Sequence, residues 1–188
     1  GPHRVSSMLI QFKRRFSMAH RLRFDRDSKC ATPHGHNEFV CVDLQARAGK
    51  AFDWGGANYA ENFSNLKRQW HRFVDVSLDH AFQLGHDDPM IGYFREHEPE
   101  ILPRLLVIQG DPTTEAVAAA LYMKLNAIMA VHVPDFECVR LEIEETPTNS
   151  VILTHADLAG CTVRLGEWCH RADMSLNDLL PAGHWEAL

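Results

Sequence analysis

The sequence lacks any Cys-x-x-Cys pair, and its 5 cysteines, Cys30, Cys41, Cys138, Cys161 and Cys169, are scattered and odd in number. This suits a reducing compartment better than a disulfide framework and leaves at least one thiol outside any disulfide. No uninterrupted apolar stretch approaches the length needed to cross a bilayer. Nor does any segment combine a basic start, an apolar centre and a small-residue cleavage site, so no membrane is expected and the cytoplasm is the default location. Positive charge is in short supply: 19 Lys and Arg against 25 Asp and Glu give a formal charge of −6 with neutral histidines. The pI is near 6.0, and no basic run is interleaved with aromatics, which argues against a general nucleic-acid surface and leaves only local phosphate binding open. There is no internal repeat, low-complexity tract or convincing linker, so 188 residues that are 45% hydrophobic and 23% charged read as one soluble globular domain. Gly1-Pro2 has the look of a tag-cleavage remnant, and the fold argument begins at Met8.

What the chain does have is histidine, 12 in all, and one informative stretch, Cys30-Ala31-Thr32-Pro33-His34-Gly35-His36-Asn37, preceded by His20 in Phe16-Ser17-Met18-Ala19-His20. Two imidazoles one residue apart on an extended segment point to the same side, and a third from a neighbouring strand completes three corners of a tetrahedron. The fourth corner stays open, as in catalytic rather than structural zinc sites. Cys30 lies four residues before His34 across a turn containing Pro33, so its sulfur can face the pocket without being a ligand; equally, it can be a small buried hydrophobe. Cys169-His170 has no matching pair and reads as no second metal site.

The periodicities predict strands over 8–18 and 36–46 and an amphipathic helix over 58–76 with Phe63, Leu66, Trp70, Phe73 and Val74 inward. A second helix should begin at Asp111-Pro112, with Asp as cap and Pro in the first turn. It should run to about residue 130 with Val117, Leu121, Leu125 and Ile128 inward, and be followed by strands over 136–145 and 151–155. The order β-β-α-α-β-β implies an α+β fold, an antiparallel four-stranded sheet with both helices on one face. The long connection 84–110 contains a possible helix over 89–97, an elaboration over the sheet edge or the site mouth. In the tail 160–188, Val163 and Leu165 suit an extra strand and Leu176, Leu179 and Leu180 a short helix or docking segment.

Six motifs in order resemble the 6-pyruvoyl-tetrahydropterin and 6-carboxytetrahydropterin synthase family: His20; Cys30 with His34-Gly35-His36-Asn37; Asn62-Phe63 with Leu66-Lys67; Leu78-Asp79-His80; Pro112-Thr113-x-Glu115; and Glu145-Thr146. The resemblance implies the T-fold over residues 8–160, with 161–188 as a C-terminal extension of the same domain, and a hexamer built as a dimer of trimers. It also implies Zn2+ on His20, His34 and His36, Cys30 as the general base, Asp79 and His80 as acid-base partners, and Glu145 as the carboxylate that anchors the pterin. Thr113 is implied as a weaker substrate contact that could equally be a helix cap. The implied substrate is 7,8-dihydroneopterin triphosphate.

The three-residue gap between Cys30 and His34 resembles the bacterial 6-carboxytetrahydropterin synthases. These are lyases that release acetaldehyde and triphosphate on the way to queuosine and other 7-deazapurines; the alternative is the pyruvoyl branch or another T-fold enzyme acting on a pterin or purine. Three residues depart from the family pattern: Glu38 where an aromatic is usual, Asn62 for Asp, and Ala116 for Asn. A non-catalytic, metal-stabilised scaffold is the alternative of a different class, disfavoured by the intact set of Cys30, Asp79 and His80.

Overall fold

The computed structural model describes residues 8–24, 29–50, 52–159 and 164–188. Strand β1 (Leu9–His20) runs antiparallel to β2 (His34–Ala46), in unbroken register from Leu9 opposite Gln45 to His20 opposite His34. β2 continues to β5 (Phe136–Thr146) through a bulge at Asp43/Leu44, and β5 to β6 (Asn149–Thr154), both antiparallel. These four strands are the antiparallel sheet expected from the sequence. The connection beyond residue 80 adds two more: β3 (Ala81–Gly85) pairs in parallel with the end of β1, and β4 (Leu105–Ile108) in parallel with β3. The sheet is therefore six-stranded and mixed, in the order β4-β3-β1-β2-β5-β6.

Even-numbered residues of β2 face the core. Val40, Val42 and Leu44 are buried there with Phe12, Phe16 and Met18 of β1 and Leu141 and Ile143 of β5. Helix α1 (Phe63–Arg72) and α3 (Thr114–His132) supply the other side of that core. The first helix begins later than the periodicity suggests. Asn58 sits at φ 60, and Asp53 holds the preceding loop by accepting from the Ala57 and Asn58 amides. Asn62 then caps α1 through its side chain. Phe63, expected inward, is exposed and meets Phe12 only edge-on. Past Arg72 the helix widens into a π-helical turn, Phe73–Leu78, that buries Phe73, Val74 and Leu78.

In α3 the buried stripe Val117, Leu121, Leu125 and Ile128 is as expected. Its cap is not Asp111 but Thr113, whose hydroxyl accepts from the Ala116 amide. The Asp111 carboxylate is taken by the amides of Arg23 and Phe24, 3.0 and 2.9 Å away, so the helix starts two residues later. α3 has the length and mean hydropathy of a membrane span, but Lys124 and Asn126 interrupt its apolar run and half of it is buried inside the protein as core.

Helix α2 (Pro89–His97) occupies the range predicted for it, with Asp88 as N-cap and Pro89 in the first turn. It packs over β3 and β4 in a second apolar cluster of Leu84, Ile91, Leu102, Leu105 and Val107. The tail forms no helix at residues 176–180; it docks. Leu176 O accepts from Val107 N and Leu165 O from Gln109 N, so the tail lines the outer edge of β4. Trp168 is buried and donates to the Val107 carbonyl. Val163 lies outside the described residues. A one-turn helix, α4 (His155–Leu158), follows β6.

Candidate metal centre and active site

The alternation that buries Val40 and Val42 continues towards the start of β2 and puts Glu38, His36 and His34 on the same face. On β1 it puts Met18 opposite His36 and His20 opposite His34. The histidines thus stand where the core face runs out at the strand ends. Gly35 between them is dictated by close approach: a Cβ there would lie 2.6 Å from the Met18 carbonyl oxygen.

One ligand atom from each of His20, His34 and His36 lies within 4.8 Å of the others, and the cluster could hold a metal ion. Two rings are held from behind. His20 Nδ1 lies 2.9 Å from the Pro112 carbonyl oxygen and His34 Nδ1 2.7 Å from that of Thr32. A carbonyl only accepts, so both Nδ1 atoms carry the proton and both Nε2 atoms present a lone pair. Those Nε2 atoms lie 3.1 Å apart. Two lone pairs facing at that separation repel unless a cation lies between them. Nitrogens bound tetrahedrally to zinc at about 2.0–2.1 Å are roughly 3.3 Å apart, so the donor set fits that ion. Burial pushes the His20 pKa down against the pull of the Pro112 carbonyl, and His34 and His36 lower it further. The neutral imidazole so favoured is the form that binds metal.

Glu145 lies beside this cluster, with Oε1 3.6 Å from His36 Nε2. Glu38 stands next to it across the β2–β5 pair. Only 2% of Glu38 is exposed, its Oε2 has no hydrogen-bond partner among the described residues, and burial, reinforced by Glu145, pushes its pKa up to about 8. The sequence marked Glu38 only as a departure from a pattern. Its position two residues beyond His36 on an alternating strand was the signal that it faces the site. The carbonyls of Thr32 and Pro112 could not be picked out from sequence, because any residue type supplies one.

Cys30 sits half-buried in the single 3-10 turn Lys29–Ala31 that leads into β2. The Cys30 carbonyl accepts from Leu22 N, which ties the turn to the chain leaving β1. Thr113 is the α3 cap, one residue from the carbonyl that orients His20.

Asp79 and His80 form a second constellation. His80 Nδ1 lies 2.9 Å from Asp79 Oδ2, and Asp79 Oδ1 accepts from Ser17 N at 2.8 Å. Burial opposes ionisation of Asp79, yet the Ser17 amide and His80 hold its carboxyl below the usual range. His80 has φ 66, a left-handed conformation that costs a non-glycine residue about 1 kcal/mol or more and is found at functional sites. Its side chain is 77% exposed. The pair lines a recess with Lys13, Arg15 and Ser17, and none of the three metal-site histidines borders it. The chain brings together the histidines and Glu145, and separately Asp79 with His80; among the described residues, the recess that Asp79 and His80 line takes in none of the three histidines.

The model of the family described as 6-pyruvoyl tetrahydropterin synthase matches residues 9–156. A probable 6-carboxy-5,6,7,8-tetrahydropterin synthase of Halobacterium salinarum is 29% identical over 133 residues, 71% of this chain and 77% of that protein. The 6-carboxy-5,6,7,8-tetrahydropterin synthase of Bacillus subtilis is also 29% identical, over 71% of this chain and 75% of its own length. Among solved structures, an uncharacterized protein from Wolinella succinogenes superposes with a TM-score of 0.58 at 21% identity, covering 79% of this chain and 99% of that one. The 6-pyruvoyl tetrahydropterin synthase of Caenorhabditis elegans superposes with a TM-score of 0.52 at 21% identity, over 78% of this chain and 94% of that one, which extends the likeness to the T-fold. Taken with the three histidines on one strand pair, the match shows that this chain belongs to the 6-pyruvoyl tetrahydropterin synthase family of pterin-processing enzymes.

Proposed function

We propose that the protein is a 6-carboxytetrahydropterin synthase, a lyase that converts 7,8-dihydroneopterin triphosphate to 6-carboxy-5,6,7,8-tetrahydropterin, acetaldehyde and triphosphate on the route to queuosine and other 7-deazapurines. The observation that carries this reading is the convergence of three imidazoles, two of them with Nδ1 tied to a backbone carbonyl, beside the Glu145 carboxylate. The names of the two bacterial and archaeal relatives and the three-residue gap between Cys30 and His34 favour the carboxy branch.

In this reading His20, His34 and His36 hold zinc, which when bound supplies Lewis-acid polarisation of the substrate's side-chain hydroxyls. Glu145 accepts two parallel hydrogen bonds from the amino and ring N–H edge of the pterin and so fixes the side chain over the metal site. Cys30, as thiolate, takes the proton from the side-chain carbon. His80 relays it through Nε2, with Asp79 holding the opposite nitrogen protonated and stabilising the charged ring. Thr113 uses its oxygen for the helix cap and keeps its hydroxyl proton for a ligand. Glu38 is the one feature favouring a different pterin or purine, because a buried carboxyl takes the place of an aromatic side wall.

Because Asp79 and His80 stand apart from the histidine cluster within one chain, the reading requires the catalytic set to be completed by a neighbouring subunit. The edge of β1 from Leu9 to Phe16 and the outer edge of β6 carry no strand partner among the described residues, and such edges pair readily with another chain. We assign the assembly as two stacked trimers in the cytoplasm, with 161–188 an extension of the 8–160 domain.

Two experiments test the reading. Incubation of the zinc-loaded protein with 7,8-dihydroneopterin triphosphate should yield 6-carboxytetrahydropterin and acetaldehyde by mass spectrometry. The pyruvoyl product moves the protein to the sister branch, and no turnover sinks the substrate assignment. In the second, two inactive variants, His34→Ala and His80→Ala, are mixed and reassembled. Random mixing should restore about a quarter of wild-type turnover if each site draws these residues from two chains. Zero recovery after verified subunit exchange places both residues in one chain and overturns the shared site.

A further inference from the structure

The chain is acidic overall, yet Lys13-Arg14-Arg15 is its one run of three consecutive basic residues. The run lies on the part of β1 that has no second strand neighbour among the described residues, and it borders the recess of about 500 Å3 that Asp79 and His80 also line. Both carboxylates in that lining are already engaged. Asp75 receives Arg14 through two hydrogen bonds, at 2.9 and 2.6 Å. Asp79 accepts from the Ser17 amide and faces His80. Arg15 is exposed and has no ion pair or hydrogen bond among the described residues. Lys13 is held only loosely, 3.6 Å from Glu144 Oε2 and 4.7 Å from the centre of the Phe39 ring. His80 turns one nitrogen to Asp79 and leaves Nε2 for an outside partner. The lining therefore carries an uncompensated guanidinium and an imidazole nitrogen beside an ammonium only loosely paired with Glu144, and neither Asp75 nor Asp79 is left to neutralise the guanidinium.

We propose that this recess binds a phosphate chain, with the Arg15 guanidinium as the principal contact and Lys13 and His80 at its sides. A planar guanidinium offers two parallel donors to phosphate oxygens, which an ammonium does not. The inference deepens the pterin reading and rests on it for the identity of the ligand. The substrate's triphosphate is attached to the same side chain whose proton His80 relays. A side chain reaching from a neighbouring subunit's metal site to His80 therefore delivers its phosphates to Arg15.

The test is calorimetric titration of the zinc-loaded protein with inorganic tripolyphosphate, with zinc content verified after each run because polyphosphates chelate. It is paired with steady-state kinetics on the triphosphate substrate, binding of dephosphorylated 7,8-dihydroneopterin, and solution mass by light scattering. Arg15→Ala should weaken tripolyphosphate and raise KM for the triphosphate by about 10-fold or more, leaving dihydroneopterin affinity and solution mass unchanged. Arg15→Lys should fall between the two proteins. Unchanged tripolyphosphate affinity in Arg15→Ala overturns the proposal, as does an equal loss for both ligands together with a fall in mass, which marks an assembly role. Arg15-dependent tripolyphosphate binding in a protein that turns over no pterin leaves the anion site standing and removes the pterin reading. Turnover indifferent to Arg15 does the reverse.

Discussion

Replacing His34 by alanine is expected to empty the metal centre and abolish turnover while the chain stays folded. His34 is one of three converging imidazoles, and it stands at the edge of the core rather than within it. Its loss forfeits one hydrogen bond to the Thr32 carbonyl, worth about 1 kcal/mol, so the melting temperature should shift by only a few degrees. Metal affinity should suffer far more. Changing even the groups that orient a ligand costs about 10–100-fold, and removing the ligand itself should exceed that. Bound metal by mass spectrometry should fall from one equivalent per chain to less than about a tenth, with turnover down at least about 1000-fold.

His20→Ala is a poorer probe of the same point. His20 is 2% exposed, and its removal opens a cavity and strands the Pro112 carbonyl, adding about 2–3 kcal/mol of instability to the loss of metal. The result that would overturn the ligand assignment is full metal content in His34→Ala. Glu145, already 3.6 Å from His36 Nε2, would then be the replacement ligand, and its role as pterin anchor would fall with the assignment.

The histidine cluster was legible because two independent regularities meet at it. A His-x-His pair needs only the two-residue period of a strand to share a face, and the strand is revealed by the alternation at Val40, Val42 and Leu44. Helix α2 was legible for a local reason as well, the Asp88-Pro89 start signal. Strands β3 and β4 were not. Ala-Phe-Gln-Leu-Gly and Leu-Leu-Val-Ile are short and buried on both faces, so they show no alternation, and a parallel partner is far away in sequence. The start of α1 was misread because the Asp53 loop and the left-handed Asn58 end the helical pattern without removing its apolar spacing. The distance of Asp79 and His80 from the histidines along the sequence already suggests that they meet across a subunit interface, but their placement has no local sequence signal. It depends on which side of a strand pair a turn emerges, and on a neighbouring subunit if the pair is to reach the metal.

The largest stability effect should come from Lys124, a residue in α3 that the helical pattern gives no reason to single out. It is fully buried beneath the tail. Its ammonium donates to the Trp168 carbonyl at 3.1 Å, Asp173 Oδ1 at 3.0 Å and Ser175 Oγ at 3.1 Å, and it lies 5.2 Å from the centre of the Phe73 ring. Asp173 is held in turn by Arg171 Nε and by the amide and hydroxyl of Ser175. Lys124→Ala removes three charge-assisted hydrogen bonds, leaves a cavity and takes from a mostly buried carboxylate its ammonium partner, leaving Arg171 and Ser175 to hold it, which should cost about 3–5 kcal/mol in urea unfolding. Lys124→Met combined with Asp173→Asn removes both charges and should recover most of that loss, because the pair must itself overcome a large desolvation cost. A tail that served only as a loose appendage would instead give the same midpoint in all three proteins. The pH dependence has a definite sign. Burial pulls the Lys124 pKa down to about 8 from 10.5, more than the Asp173 hydrogen bond and charge restore. Between those two values the unfolded chain holds a proton that the folded chain has released, so this group's contribution to stability rises with pH across that window. The buried Cys138 and Cys169 thiols, pushed up to about 12, act in the opposite direction above pH 9, so the informative quantity is the difference between wild type and Lys124→Met. That difference should shift in favour of wild type as pH climbs from 8 to 10. A flat difference would mean that Lys124 reaches water in the folded state and that the tail does not seal it.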